Sequence, residues 1–208
     1  MLFSTKKIRL ISSRLSWAID IMEIYLALIH YPVYNKHKKI ITTCITSFDL
    51  HDLARSALTF GIKKYFVVNP LPAQLKFAER VLDLWKQEQS LKYNSTRVEA
   101  FRRVELSKSL EDVLQKLGKR TIIVATSARA KKSNISYLSL SQKAKKEKGR
   151  MLILLGTGWG LAPEVMQKAH YILPPILGKG KYNHLSVRAA GAIIFDRLFG
   201  GNEKNEKN

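Results

Sequence analysis

Cysteine is almost absent. The 208 residues hold one, Cys44, which excludes an internal disulfide and a cysteine-cluster zinc site and fits a reducing, cytoplasmic setting. Long apolar runs are also missing: none approaches the ~20 residues of a membrane-spanning helix. Acid is scarce, with Asp+Glu 16 against Lys+Arg 36 and a formal net charge of +20. Such an imbalance favours a polyanionic partner, nucleic acid first and an anionic membrane surface second. A lysine-rich proteome, which raises every surface alike, is the bland alternative. His30, His51 and His184 show no paired metal spacing, so no metal is expected. There is neither a nucleophile elbow nor a compelling pair of carboxylates.

What is present is an alternation of short apolar runs with helical patterns. Ile24–His30, Lys64–Asn69, Thr121–Ala125, Met151–Leu155 and Tyr171–Leu173 read as strands, and Val104–Leu106 as a brief one. The β-branched run Ile40–Thr46 reads as a further strand or an extended edge. Asp49 is placed to cap a helix whose buried stripe is Leu50, Leu53, Ala54, Ala57 and Leu58. Another helix starts at Pro72, and a shorter one carries Leu110, Val113, Leu114 and Leu117. Ser90–Arg103 is polar, a loop with a short helix, and Lys131–Arg150 is a basic, weakly periodic helix or loop that offers a surface to RNA. This alternation predicts one α/β domain with a mainly parallel sheet, whose ligands bind beyond the carboxyl ends of the strands.

The domain is expected to span 22–200. Residues 1–21 carry Lys6, Lys7, Arg9 and Arg14 before the first acid, Asp20. Arg14 interrupts their apolar part and no small-residue cleavage site follows, so they read as an upstream extension rather than a targeting peptide. The tail 201–208 (GNEKNEKN) is low-complexity and expected to be disordered.

Unusual residues concentrate between Met151 and Gly200. Gly156, Gly158 and Gly160 alternate after a strand, and a Pro/Gly loop leads to Tyr182-Asn183-His184-Leu185-Ser186 at the head of an apolar helix. The glycine triplet is neither a Walker loop nor a dinucleotide fingerprint, and no acid follows at the distance a ribose-binding site requires, which disfavours a nicotinamide-dependent oxidoreductase. Arg188 puts a cation in the first turn of that helix, against the helix dipole. It calls for an anion, either a ligand or a neighbour such as Asp196 or Glu164.

The ordered set Asp49-x-His51-Asp52-Leu53-Ala54-Arg55-Ser56-Ala57 with Phe60-Gly61, then TSAR, LLGTGWGL and PI-x-G-x-x-x-YNHLSVR-x-A, resembles the motifs of SPOUT-class RNA methyltransferases. It is most similar to a bacterial stand-alone group, from about Glu23 to Gly200. The resemblance implies a six-stranded sheet with helices on both faces, a C-terminal deep trefoil knot, a homodimer, and S-adenosylmethionine as cofactor. By position, the cofactor loops would be Thr126, Ser127 and Ala128; Leu155, Gly156, Thr157, Gly158, Trp159, Gly160 and Leu161; Pro175, Ile176 and Gly178; and His184, Leu185, Ser186 and Val187. Arg55, at the family's motif-one arginine, would meet the target nucleotide or its phosphate. Asn183, His184 and Ser186 would orient or deprotonate the acceptor, and Arg129 and Arg188 would join Arg55 in holding RNA. The activity implied is methyl transfer to a nucleotide of tRNA or rRNA, on a base or a ribose hydroxyl. A catalytically silent RNA-binding or ribosome-assembly protein of the same fold is the alternative. Ala189 and His170 depart from the serine and aspartate common at these positions.

Overall fold

Seven residues with no polar break between Tyr25 and Ile29, Glu23–Ile29, form β1, the strand from which the sheet grows in both directions. Such a run suits a strand buried on both faces, as a parallel sheet requires. The computed structural model describes residues 22–130, 132–180 and 182–201. The expectations for 1–21 and for 202–208 fall outside the described residues.

In chain order the elements are β1, a small hairpin β2 (Val33–Tyr34) and β3 (Ile40–Ile41), α1 (Ser47–Thr59), β4 (Lys64–Val68), α2 (Pro72–Lys86), α3 (Glu88–Tyr93) and α4 (Ser95–Phe101). They continue with β5 (Val104–Ser107), α5 (Leu110–Leu117), β6 (Thr121–Ala125), α6 (Tyr137–Lys146), β7 (Arg150–Gly156), α7 (Pro163–Met166), β8 (Tyr171–Ile172) and α8 (Val187–Phe199). Six strands form one sheet in the order β5-β4-β1-β7-β6-β8, every pair parallel. This is the six-stranded α/β architecture expected.

Period-2 alternation divides the strand side chains between two cores. Leu26 and Leu28 of β1, with Ile153 and Leu155 of β7, face α1, α2, α4, α6 and α8. Ala27 and Ile29, with Leu152 and Leu154, face α5, α7 and Leu161. A buried Ser141 hydroxyl on α6 donates to the Leu198 carbonyl at 2.7 Å, tying α6 to α8. Among the described residues no helix is long and apolar enough to cross a membrane.

Several local expectations are corrected. The cap of α1 is Thr46, in extended backbone, whose hydroxyl accepts from the Asp49 N–H at 3.1 Å and donates to Asp49 Oδ2 at 2.6 Å. Asp49 therefore closes the cap from inside the first turn. Ile40–Thr46 is no strand of the main sheet: Ile40–Ile41 pairs with Val33–Tyr34, and the rest runs on as extended chain. The polar stretch after Ser90 folds into α3 and α4, separated by Asn94, whose side chain caps α4. Arg150 belongs to β7, and α6 turns Leu140, Ser141 and Ala144 inward. The last helix starts at Val187, with Ser186 as its cap.

Candidate functional site

The loops leaving β6, β7 and β8, together with the approach to α8, enclose one cavity of about 530 Å³ at the carboxyl ends of the strands. Thr126–Arg129, Leu155–Gly160, Pro174–Ile176 and Asn183–Val187 line it. Of the cofactor residues expected there, Leu161 and Gly178 are not part of the lining; Arg55 and Arg188, expected at the RNA, lie outside it too. Thr43, Cys44, Asp49, Tyr137, Ala190 and Ile194 line it as well. Ala190 and Ile194 follow Val187 at helical spacing, a pattern that sequence could have given. Thr43, Cys44 and Asp49 come from a distant part of the chain and carry no such signal.

The glycine loop is shaped by its own neighbours. A Cβ on Gly156 would stand 2.8 Å from the Leu161 nitrogen, so Leu161 packs beneath the loop instead of facing the cavity. Gly158 has φ +57, and a Cβ there would reach 2.8 Å from the Tyr34 carbonyl. That carbonyl accepts from the Trp159 N–H at 2.9 Å, and the Tyr34 N–H donates to the Gly160 carbonyl at 2.9 Å. The hairpin thus clamps the loop on both sides of its turn.

Below the loop runs a chain of polar groups. Thr157 Oγ1 lies 2.5 Å from Thr43 Oγ1, which lies 2.9 Å from Nδ1 of His30. Thr157 Oγ1 also lies 3.0 Å from the Ile29 carbonyl. Each hydroxyl has one proton. If Thr157 gives its proton to Ile29, Thr43 must donate to Thr157 and His30 must carry its proton on Nδ1. If Thr157 donates to Thr43 instead, Thr43 donates to Nδ1 and the His30 proton moves to Nε2. Both arrangements fit these oxygen and nitrogen positions. His30 is fully buried and its Nε2 has no hydrogen-bond partner. Burial, only partly opposed by the Asp49 charge, lowers its pKa to about 4, so the ring is neutral at physiological pH.

Asp49 is the one carboxylate among the lining residues and is nearly buried. Its Oδ1 faces Arg188 at 3.4 Å, and the Arg188 Nε reaches Asp52 at 3.2 Å. The cation in the first turn of α8 is therefore answered by two acids of α1, not by Asp196 or Glu164. Asn183 Nδ2 donates to the Ala128 carbonyl at 3.0 Å, joining the loop before α8 to the loop after β6. Tyr137 donates to the Pro174 carbonyl at 3.1 Å, fixing the loop after β8. The Ser186 hydroxyl accepts from the Ala189 N–H at 3.2 Å as cap of α8.

Arg55 lies on the exposed side of α1, in a separate depression of about 210 Å³ shared with Thr59, Asn94, Thr96 and Arg97. His51, one turn earlier, packs against Phe101 at 4.6 Å and Trp85 at 5.5 Å. Burial, with the Arg97 charge next, holds its pKa below the ordinary histidine value.

The fold is shared with a probable methylase family protein from Haemophilus influenzae (TM-score 0.58, 21% identity, 90% of this chain and 71% of that one). It is also shared with the SpoU methyltransferase AviRb from Streptomyces viridochromogenes, solved with the cofactor AdoMet (TM-score 0.52, 14% identity, 90% of this chain and 60% of that one). A protein of Aquifex aeolicus is 42% identical over 183 residues, 86% of this chain and 89% of its own. A tRNA (guanine-N(1)-)-methyltransferase of Nitratidesulfovibrio vulgaris is 38% identical over 181 residues, 85% of this chain but 42% of that longer protein. Residues 23–200 match the SAM-dependent RNA methyltransferase family. The chain belongs to that family, and is an enzyme that uses S-adenosylmethionine to methylate RNA.

Proposed function

We propose that the chain methylates a nucleotide of tRNA or rRNA, with S-adenosylmethionine seated in the cavity beyond β6, β7 and β8. The observation that carries this reading is the meeting of the four expected loops around one space. Its volume of about 530 Å³ falls within the roughly 300–1,000 Å³ of small-molecule sites. The walls suit the cofactor's parts. Leu155, Val187, Ala190 and Ile194 offer apolar surface to the adenosine, the Thr43 and Thr157 hydroxyls offer hydrogen bonds, and Asp49 offers a negative charge to a cationic group. Once bound, the cofactor supplies a methyl group already activated by its sulfonium.

The protein's own part is then to hold the acceptor in line and to take its proton where one is lost. We assign this to Asn183 and His184, which line the cavity, while Ser186 caps α8 directly after the loop that carries them. Arg55 and Arg97 both line one depression outside the cavity, the Arg97 guanidinium lying 5.0 Å over the Trp85 ring. Among the described residues no carboxylate lies within ion-pair distance of either, a setting that suits an RNA phosphate. The half-buried apolar residues Ala192, Ile193 and Phe199 of α8, with exposed Leu185 ahead of them, suit a homodimer. A C-terminal trefoil knot and a cytoplasmic location complete the reading.

The test is transfer of label from S-adenosylmethionine to RNA isolated from a strain deleted for the gene, followed by mass mapping of the product. Label should enter tRNA or rRNA at one nucleotide. Cofactor binding without transfer to tRNA or rRNA from that strain would overturn this choice of substrate.

A further inference from the structure

We propose that Tyr182, His184 and Trp159, with Arg129, form a stacking platform for one unpaired nucleobase of the RNA at the mouth of the cavity. The enzyme would then take its target from a single-stranded or extruded nucleotide, not from within a paired helix. This rests on the RNA methyltransferase reading above and names the form of RNA that the site accepts.

Three loops build the platform. Arg129 follows β6, Trp159 follows β7, and Tyr182 and His184 precede α8. The Arg129 guanidinium carbon stands 4.1 Å over the Trp159 ring. The Trp159 and His184 centroids are 6.2 Å apart, and those of His184 and Tyr182 are 5.4 Å apart at 69°. Rings elsewhere in the fold meet inside the cores, as Phe60 meets Phe195 and Trp85 meets Phe101. Here Tyr182 is 78% exposed and Trp159 45% exposed. Rings that touch one another at a cavity rim yet stay this exposed bury little area among themselves, and apart from the Trp159 face under Arg129 they leave flat apolar surface free.

The electrostatics select the kind of molecule that covers it. Among the described residues no carboxylate lies within ion-pair distance of Arg129, so the guanidinium over Trp159 keeps its charge for an anion. A planar aromatic ligand attached to a phosphate meets both features, and that is a nucleotide. Inside a duplex both faces of a base are covered by its stacked neighbours, so a base there must be unpaired or extruded to offer a face to Tyr182 or Trp159. Asn183 and His184, which follow Tyr182 in sequence and line the cavity, would hold the stacked nucleotide at the cofactor's edge.

The experiment titrates the full chain with a fluorescently labelled mixed-sequence single-stranded oligoribonucleotide, and with the same RNA annealed to its complement. It is run on wild type, Tyr182→Ala and Tyr182→Phe, with S-adenosylmethionine binding measured calorimetrically on each. We expect the wild type to prefer the single strand and to show quenched tryptophan emission on binding, with the quench absent in Trp159→Phe. Tyr182→Ala should weaken single-strand binding roughly tenfold, the loss of one stacked base. Tyr182→Phe should restore it, and cofactor affinity should be equal in all three. A wild type that binds duplex as tightly as single strand, or a Tyr182→Ala variant with unchanged RNA affinity, overturns the platform while leaving the methyltransferase reading intact. A Tyr182→Ala variant that loses cofactor affinity instead assigns the rings to the cofactor seat and also overturns it. A wild type that binds neither cofactor nor RNA removes the underlying reading with it.

Discussion

Replacing His30 with asparagine tests the polar chain beneath the glycine loop in a way that separates charge from packing. Asparagine sets a polar atom about where Nδ1 stands, so the contact to Thr43 survives while the titrating group is gone. In the wild type the ring is neutral in the fold down to about pH 4, whereas in the unfolded chain it takes a proton near 6.5. Above pH 6.5 neither state is charged and the group contributes its full stability. As the pH falls below 6.5 the unfolded chain gains the proton first, and stability is lost until the folded ring also titrates near 4. The full loss is ~3 kcal/mol, of which ~2 kcal/mol should be gone between pH 7 and pH 5. The assay is urea unfolding of both proteins from pH 4.5 to 7.5, comparing the slope of stability with pH, because other titrating groups cancel between the two. Wild type should lose about one proton's worth of slope more than His30→Asn between pH 6 and pH 5. Equal slopes would refute the claim that His30 is held neutral by burial.

Gly158→Ala forces a side chain into φ +57 and against the Tyr34 carbonyl. It should cost ~2 kcal/mol or more, lowering Tm by roughly 4–8 °C in a thermal scan and weakening cofactor binding. Arg55→Ala should cut methyl transfer at limiting RNA about tenfold or more while calorimetry finds cofactor affinity unchanged, since Arg55 lies outside the cavity lining; unchanged transfer would remove it from RNA contact. Ser141→Ala breaks the buried bond to the Leu198 carbonyl and should lower unfolding free energy by about 1 kcal/mol in urea, with little effect on cofactor binding. RNA affinity should fall steeply and linearly in a log–log plot against salt, as counterion release demands, and a flat plot would exclude phosphate-dominated binding.

The central strands were legible because each holds an uninterrupted apolar run. Thr121–Ala125 has the same limits in sequence and structure, and β7 differs from its expected span by Arg150 and Gly156. Caps were harder, since Thr46 and Asp49 are both capping residues and only the extended backbone at Thr46 decides between them. The run Ile40–Thr46 has strand composition, but its partners Val33 and Tyr34 offer two residues of ladder. Half of the cavity wall was readable from the run of glycines and the cluster before α8. Thr43 and Asp49 were not, because β1 and β7 lie side by side in the sheet and bring together chain segments more than a hundred residues apart. The partners of Arg188 were missed for the same reason: its acids sit on α1, 139 residues away at Asp49.

That pairing of β1 with β7, seven residues deep from Glu23↔Arg150 to Ile29↔Gly156, has a consequence for how the protein is made. Synthesis at about 5–20 residues per second leaves the chain for several seconds with β1 and β4 formed and the other edge of β1 bare. Until β7 emerges, that edge is an apolar strand with a full row of unsatisfied backbone groups, the kind of surface that invites self-association. Long-range parallel pairing also makes the closing step slow. The cavity waits for the same event, since its glycine loop is the continuation of β7. Competence to bind a cofactor is thus among the last properties the nascent chain acquires, and it arrives together with protection from aggregation.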